Sequence, residues 1–117
     1  MTEHHKINYV EMAAIDLIAT KAFFTQAFNW QFTDYGPQYS AFDTQGIDGG
    51  FYQVNEAVKF PESVPLIVIY SNDLTESMAR VINAGGLIVK DIFSFPGGQR
   101  FHFKEPSGNE LAIWSDK

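Results

Sequence analysis

The chain has 117 residues, of which 45% are hydrophobic and 15% aromatic, and its formal net charge is −6. These values predict one well-packed domain over residues 1–117 and exclude a disordered chain. Only 8 residues are Lys or Arg and they are scattered singly, so we expect no binding to nucleic acid or to an anionic membrane surface.

Cysteine is absent, which excludes disulfides, thiolate metal sites and a cysteine nucleophile. The first residues, MTEHHKINYVE, contain no long apolar run. We therefore predict neither a signal peptide nor a membrane span there, and we expect a cytoplasmic protein.

The first half of the chain predicts one helix and four strands. A strand at 7–13 precedes a helical segment at 15–30, in which Leu17, Phe24 and Phe28 share one narrow apolar face and Asp16 suits the N-cap. Alternating apolar residues and the turn residues Gly36, Pro37 and Gly46 predict three further strands, at 30–35, 39–44 and 49–54.

The second half repeats this order after a linker at 55–63. A strand at 64–70 precedes a second helical segment at 72–87, and both helical segments open with Asp-Leu, 57 positions apart. Asp73 suits the second N-cap, and Gly85-Gly86 supplies a stop. The three remaining strands are predicted at 87–93, 100–104 and 110–114, the last two joined by a tight turn at 105–109.

This order is βαβββ twice, in modules at about 6–55 and 63–116. We predict an α+β fold in which the two tandem modules form a curved mixed sheet with a cleft, with the helices on the outer face. A ferredoxin-like βαββαβ sheet is the alternative, but it predicts fewer strands after the first helix and leaves 39–54 unexplained.

Strand alternation indicates which side chains line the cleft. Phe101 and Phe103 share the face that suits a helix, so His102 lies on the opposite face. The same reasoning places the following residues in the cleft: Tyr9, Glu11, His102, Glu110, Ala112 and Trp114. The strand at 64–70 is apolar throughout, so alternation does not orient it.

Two segments, DLIATKAFFTQAFNW and FKEPSGNELAIW, resemble motifs of the vicinal oxygen chelate superfamily. This superfamily contains glyoxalase I, bleomycin-resistance proteins, fosfomycin-resistance enzymes and extradiol dioxygenases. Glu11 and the Asn29-Trp30 pair look most like its lactoylglutathione-lyase-related branch. The resemblance covers nearly the whole chain and implies the paired βαβββ fold and a homodimer.

The resemblance also implies where metal ligands, usually His or Glu, lie in the family. Those positions fall on Tyr9, on Leu66, on Ala112 and near Gly50, and no residue from 49 to 54 is His, Asp or Glu. We therefore expect no divalent metal and no other cofactor, and neither glyoxalase I nor dioxygenase chemistry.

The leading hypothesis is a metal-free protein that binds a small organic molecule in an aromatic cleft, as bleomycin-resistance proteins do in homodimers. Its predicted ligand-binding residues are Tyr9, Glu11, Leu66, His102, Glu110, Ala112 and Trp114. The alternative is a lyase or isomerase that uses Glu11 and His102 as acid and base, with or without a divalent metal.

Two further alternatives remain: a displaced metal site built from Glu11, His102 and Glu110, and a domain that binds a partner without a ligand. The residues do not decide the identity of the ligand, whether the protein is catalytic, or whether the modules pair within one chain or between two.

Overall fold

The computed structural model describes residues 4–5, 7–43, 46–55 and 65–117. Its elements, in chain order, are β1 (Tyr9–Ala14), α1 (Leu17–Phe28), β2 (Phe32–Asp34), β3 (Tyr39–Phe42), β4 (Asp48–Gln53), β5 (Ile67–Tyr70), α2 (Leu74–Asn83), β6 (Leu87–Phe95), β7 (Gly98–Lys104) and β8 (Glu110–Ser115). This order confirms the predicted α+β fold of two tandem βαβββ modules. The predicted linker lies outside the described residues except for Asn55. No described helix is long and apolar enough to cross a membrane.

The strands form two four-stranded sheets. Sheet one has the order β1-β4-β3-β2 and sheet two the order β5-β8-β7-β6. The first pair in each of these orders, β1 with β4 and β5 with β8, is parallel, and the other pairs are antiparallel. The two halves of the chain therefore repeat one mixed topology, in which β1 and β5 occupy equivalent edges.

Some strand ends differ from the predicted ones for local reasons. The strand predicted at 30–35 is only three residues long. Trp30 directly follows the last residue of the α1 cap, and its N–H donates to the carbonyl of Phe24 in the last turns of α1 at 3.3 Å rather than to a strand. The strand predicted at 64–70 begins at Ile67, after Pro65, which has no N–H to donate to a ladder.

Both helices begin at the predicted N-caps, and α2 ends at the predicted stop, whereas the end of α1 at Asn29 was not predicted. The Asp16 carboxylate accepts the N–H of Ala19 at 3.0 Å, and Asn29 ends α1 in the left-handed conformation with φ 60°. The Asp73 carboxylate accepts the N–H of Glu76 at 3.2 Å, and Gly85 follows α2 with φ 96°. These contacts satisfy backbone groups that have no partner inside the helix.

Helix α1 packs against both sheets. The Phe24 ring lies 5.3 Å from Phe51 of sheet one, whereas the Phe23 ring lies 5.8 Å from Phe103 of sheet two. The apolar face predicted for α1 is therefore too narrow, since Phe23 is fully buried and Phe28 is only partly buried. The helix therefore contacts both sheets through neighbouring side chains, Phe24 toward sheet one and Phe23 toward sheet two.

The turn at 105–109 ties the two modules together. The side-chain amide of Asn109 donates to the carbonyl of Ala13 at 2.7 Å, and the hydroxyl of Ser107 accepts the N–H of Asp16 at 3.0 Å. The hydroxyls of Thr20 and Ser107 share a hydrogen bond of 2.6 Å. Module two thus fixes the end of β1 and the start of α1.

Candidate functional site

Each sheet has an open face, opposite the face that packs on the helices. On sheet one we call it the tyrosine face, defined by Tyr9, Glu11, Tyr39 and Tyr52. On sheet two we call it the histidine face, defined by Lys90, Phe93, Phe95, Arg100, His102, Glu110, Ala112 and Trp114. The predicted site residues on strands fall on these two faces, because alternation separates them from the core residues Phe51, Phe101 and Phe103.

The tyrosine face carries a short hydrogen-bonded chain. The Tyr9 and Tyr39 hydroxyl oxygens are 2.5 Å apart, and the Tyr39 hydroxyl donates to Oε2 of Glu11 at 2.9 Å. Burial, and then the hydrogen bonds to Tyr9 and Glu11, raises the pKa of Tyr39 well above its usual value. The phenol therefore stays protonated and holds the Glu11 carboxylate in place.

Gly50 makes this arrangement possible. A Cβ at position 50 would lie 2.6 Å from Cζ of Tyr39, so only glycine leaves room for the Tyr39 ring to cross the strand. Gly50 pairs with Glu11 on β1 and with Ala41 on β3. The glycine therefore gives the Tyr39 hydroxyl its path to the carboxylate.

The histidine face centres on one buried imidazole. His102 is 8% exposed, and its Nδ1 lies 2.9 Å from Oε2 of Glu110. A carboxylate is an acceptor, so Nδ1 carries a proton and Nε2 has the free bonding position. Nε2 is buried without a hydrogen-bond partner in the described part of the chain.

Aromatic rings and cations surround this imidazole. The Phe93 ring lies 5.9 Å from the His102 ring, and the Arg100 guanidinium lies 5.4 Å from Phe93 and 5.7 Å from Phe95. The Lys90 ammonium lies 4.7 Å from the Phe93 ring centre. At these distances the ring faces attract the two cations.

The structure brings only part of the predicted site together. His102 pairs with Ala112 across the β7–β8 ladder, beside Glu110, and Trp114 lies further along β8, 5.2 Å from Tyr70. Leu66 precedes β5 and is exposed. Tyr9 and Glu11 lie on sheet one, and no hydrogen bond, ion pair or ring contact among the described residues joins them to the histidine face.

The donor atoms at the family's metal positions do not fit a divalent metal. Leu66 and Ala112 have no ligating side-chain atom, and Gly50 has no side chain. The phenol of Tyr9 is held by Tyr39. In the ranges that the structure describes, no three His, Cys, Asp or Glu side chains form a group able to hold a metal ion.

Sequence reasoning did not identify Tyr39, Arg100 or Phe93 as site residues. Arg100 carried a signal, because it shares the strand face of His102 two residues away. Tyr39 carried none beyond Gly50, since its contact with Glu11 depends on the β3–β4–β1 register. Phe93 reaches the face through the irregular pairing of β6 with β7 between Lys90 and Phe93.

A separate groove of about 440 Å³ lies beside the helices, between the end of α1 and the start of α2. Four of its polar side chains are paired with one another: Ser71 bonds Ser77 at 2.7 Å, and Arg80 bonds Glu76 at 3.3 Å. Because these groups already have partners, we regard the two open faces as the stronger candidates.

Comparison with known proteins decides the family. Residues 6–113 match the Glyoxalase/Bleomycin resistance protein/Dioxygenase superfamily. The chain belongs to this superfamily. No curated protein matches it.

Members of the superfamily with solved structures share the fold at low sequence identity. A glyoxalase-related enzyme from Fulvimarina pelagi is 18% identical, with a TM-score of 0.79 over 95% of this chain and 88% of that one. A glyoxalase/bleomycin resistance protein/dioxygenase family enzyme from Burkholderia phytofirmans is 19% identical, with a TM-score of 0.76 over 94% and 98% of the two chains. A lactoylglutathione lyase from Agrobacterium tumefaciens is 16% identical, with a TM-score of 0.71 over 97% and 96%. At these identities the likeness supports the fold and leaves the activity open.

Proposed function

We propose that this member of the superfamily binds a small organic molecule against its open sheet faces, without a divalent metal. The observation that carries the proposal is the histidine face, where aromatic rings surround buried polar groups that have no partner. The pattern is typical of a ligand site, in which apolar walls surround a few oriented polar atoms. The absence of donors at Leu66 and Ala112 supports binding without metal.

We propose further that two copies pair to complete the cleft. Strands β1 and β5 are sheet edges, and the exposed apolar side chains on and beside them include Tyr9, Val68 and Tyr70, exposed by 43%, 43% and 47%. Edge strands with apolar side chains favour pairing with another chain. Pairing sheet one of one copy with sheet two of the other would bring Tyr9 and Glu11 close to a histidine face.

A thermal-shift screen with aromatic neutral, cationic and anionic compounds tests ligand binding, because a ligand that binds only the folded state raises the melting temperature. We expect stabilisation by at least one class of aromatic compound. If no member of a broad library stabilises the protein, the proposed function is wrong. Sedimentation equilibrium tests the dimer, and a monomer at tens of micromolar protein would contradict it.

A lyase or isomerase that uses Glu11 and His102 is the second candidate. The His102–Glu110 pair favours it, because a carboxylate that fixes the imidazole tautomer is a common feature of acid–base catalysis. Because Glu11 and His102 lie on different sheets of one chain, we propose that in this candidate they meet where sheet one of one copy pairs with sheet two of the other. Metal analysis after dialysis tests the metal-free proposal, which retained stoichiometric Zn, Ni, Mn or Fe would contradict.

A further inference from the structure

The histidine face carries more positive than negative charge, although the chain as a whole carries −6. Lys90 on β6 and Arg100 on β7 both lie beside the Phe93 ring, and Glu110 on β8 is the carboxylate that contacts this cluster, through His102. Neither cation forms an ion pair within the described part of the chain. Two cations without counterions in an acidic protein form a local site for an anion.

The donors of this cluster are incompletely used. Nε of Arg100 and Nε2 of His102 are both buried and without a partner among the described residues. Buried polar atoms in folded proteins nearly always have a partner, so two such atoms two residues apart on one strand point to a missing group. Because Glu110 accepts from Nδ1, Nε2 donates to an anion only when both ring nitrogens carry a proton.

The surrounding surface suits a flat ring. Phe93 and Phe95 lie under the Arg100 guanidinium, and Trp114 lies 6.4 Å from Phe95 and 5.2 Å from Tyr70. Rings at these separations offer edges and faces on which another aromatic ring stacks. The two cations and the aromatic rings therefore lie next to each other on the histidine face.

We infer that the histidine face is a subsite for an aromatic carboxylate, whose anionic group is bound by Arg100 and His102 and whose ring packs on the neighbouring aromatic side chains. This inference rests on the proposed function and names the ligand class for it. The guanidinium is the principal partner, because it keeps its charge at all working pH values and matches a carboxylate in geometry. Lys90 adds attraction from the next strand.

Isothermal titration of the full chain with three probes of one shape tests the inference: 2-naphthoate, 2-naphthalenemethanol and 2-naphthylmethylammonium. We expect naphthoate to bind at least about tenfold more tightly than the neutral alcohol, and the ammonium compound to bind most weakly. Equal binding of the three compounds, or preference for the cation, overturns the inference.

Arg100→Met and the matched control Arg80→Met locate the site. Arg80 lies on α2 beside the separate groove, so the same change there removes a charge without touching the histidine face. We expect Arg100→Met to reduce naphthoate affinity by about tenfold or more and Arg80→Met to change it less than about twofold. A larger effect from Arg80→Met assigns binding to the groove and overturns the inference.

His102→Gln provides a second variant if Arg100→Met does not fold, and it is expected to weaken naphthoate selectively over the alcohol. An equal loss of affinity for naphthoate and for the alcohol contradicts the assigned contact.

The proposed function and the proposed ligand class can be refuted separately. If a broad library stabilises the protein but naphthoate does not bind, only the ligand class is wrong, whereas no stabilisation by any compound removes the binding function itself.

Discussion

Replacing Phe23 by alanine removes the more deeply buried of two rings through which α1 contacts Phe103 of sheet two, the other being Phe28 at 6.3 Å. The side chain is 1% exposed and contacts the rings of Phe24 at 5.1 Å, Phe28 at 6.1 Å and Phe103 at 5.8 Å. A Cβ added at Gly86 would lie 2.9 Å from the same ring, so the site is tightly packed and has little freedom to collapse. Phe→Ala substitutions in such cores cost about 3–5 kcal/mol of unfolding free energy.

The matched control is Phe42→Ala, which removes a buried ring that contacts Trp30, Phe32 and Phe51 but no ring of sheet two. We expect both variants to lose about 3–5 kcal/mol in urea unfolding, out of the roughly 5–15 kcal/mol typical of a domain. Only Phe23→Ala should also separate the modules.

Hydrogen exchange measured by mass spectrometry distinguishes the two variants. In Phe23→Ala, amides of sheet one and sheet two should exchange with different opening free energies, whereas in Phe42→Ala the sheets should still open together. A loss below about 1 kcal/mol for Phe23→Ala, or identical exchange patterns in the two variants, would refute the view that this ring couples the modules.

Three further substitutions test other contacts. Gly50→Ala should push the Tyr39 ring away from Glu11, so that one tyrosine ionises at lower pH in an ultraviolet titration; an unchanged curve contradicts this. Burial raises the pKa of Glu105 above its ordinary 4.5, so the wild type loses stability as the pH rises from 4.5 through the raised value. Glu105→Gln has no carboxyl to titrate, so its free energy of unfolding should rise relative to that of the wild type as the pH increases from 4.5 through the raised pKa. If the difference in unfolding free energy does not change with pH, the pKa of Glu105 is not raised by burial. Asn109→Ala leaves the carbonyl of Ala13 without its partner and should cost about 1–3 kcal/mol in thermal or urea unfolding; no measurable loss would show that water replaces the amide.

The repeated pattern of the sequence predicted the architecture because it depends on local signals. Asp16 and Asp73 cap helices through contacts three residues away, and the alternation of Phe101, His102 and Phe103 assigns their faces within one strand. Such signals extend over only a few positions and can be recognised in the amino-acid sequence.

The parts that could not be predicted depend on how distant elements meet. Nothing in α1 alone indicates that Phe23 packs on a strand made 80 residues later, because helical periodicity reports one apolar face and this helix uses two. Likewise, alternation did not indicate that Glu11 and His102 lie on separate sheets. Alternation gives the face of a strand and not the placement of one sheet relative to another.

The hydrogen bonds between the turn at 105–109 and the first module have a consequence for folding during synthesis. Asn109 satisfies the carbonyl of Ala13 from 96 positions away, and Phe103 covers Phe23 across a similar distance. A chain growing from its amino end completes β1, α1 and the rest of sheet one early, yet the side of α1 that carries Phe23 has no cover until Phe103 has left the ribosome. We therefore expect the two modules to fold together once module two has been made. Although each module is short, folding should then be slow, because it depends on contacts between residues far apart in the chain.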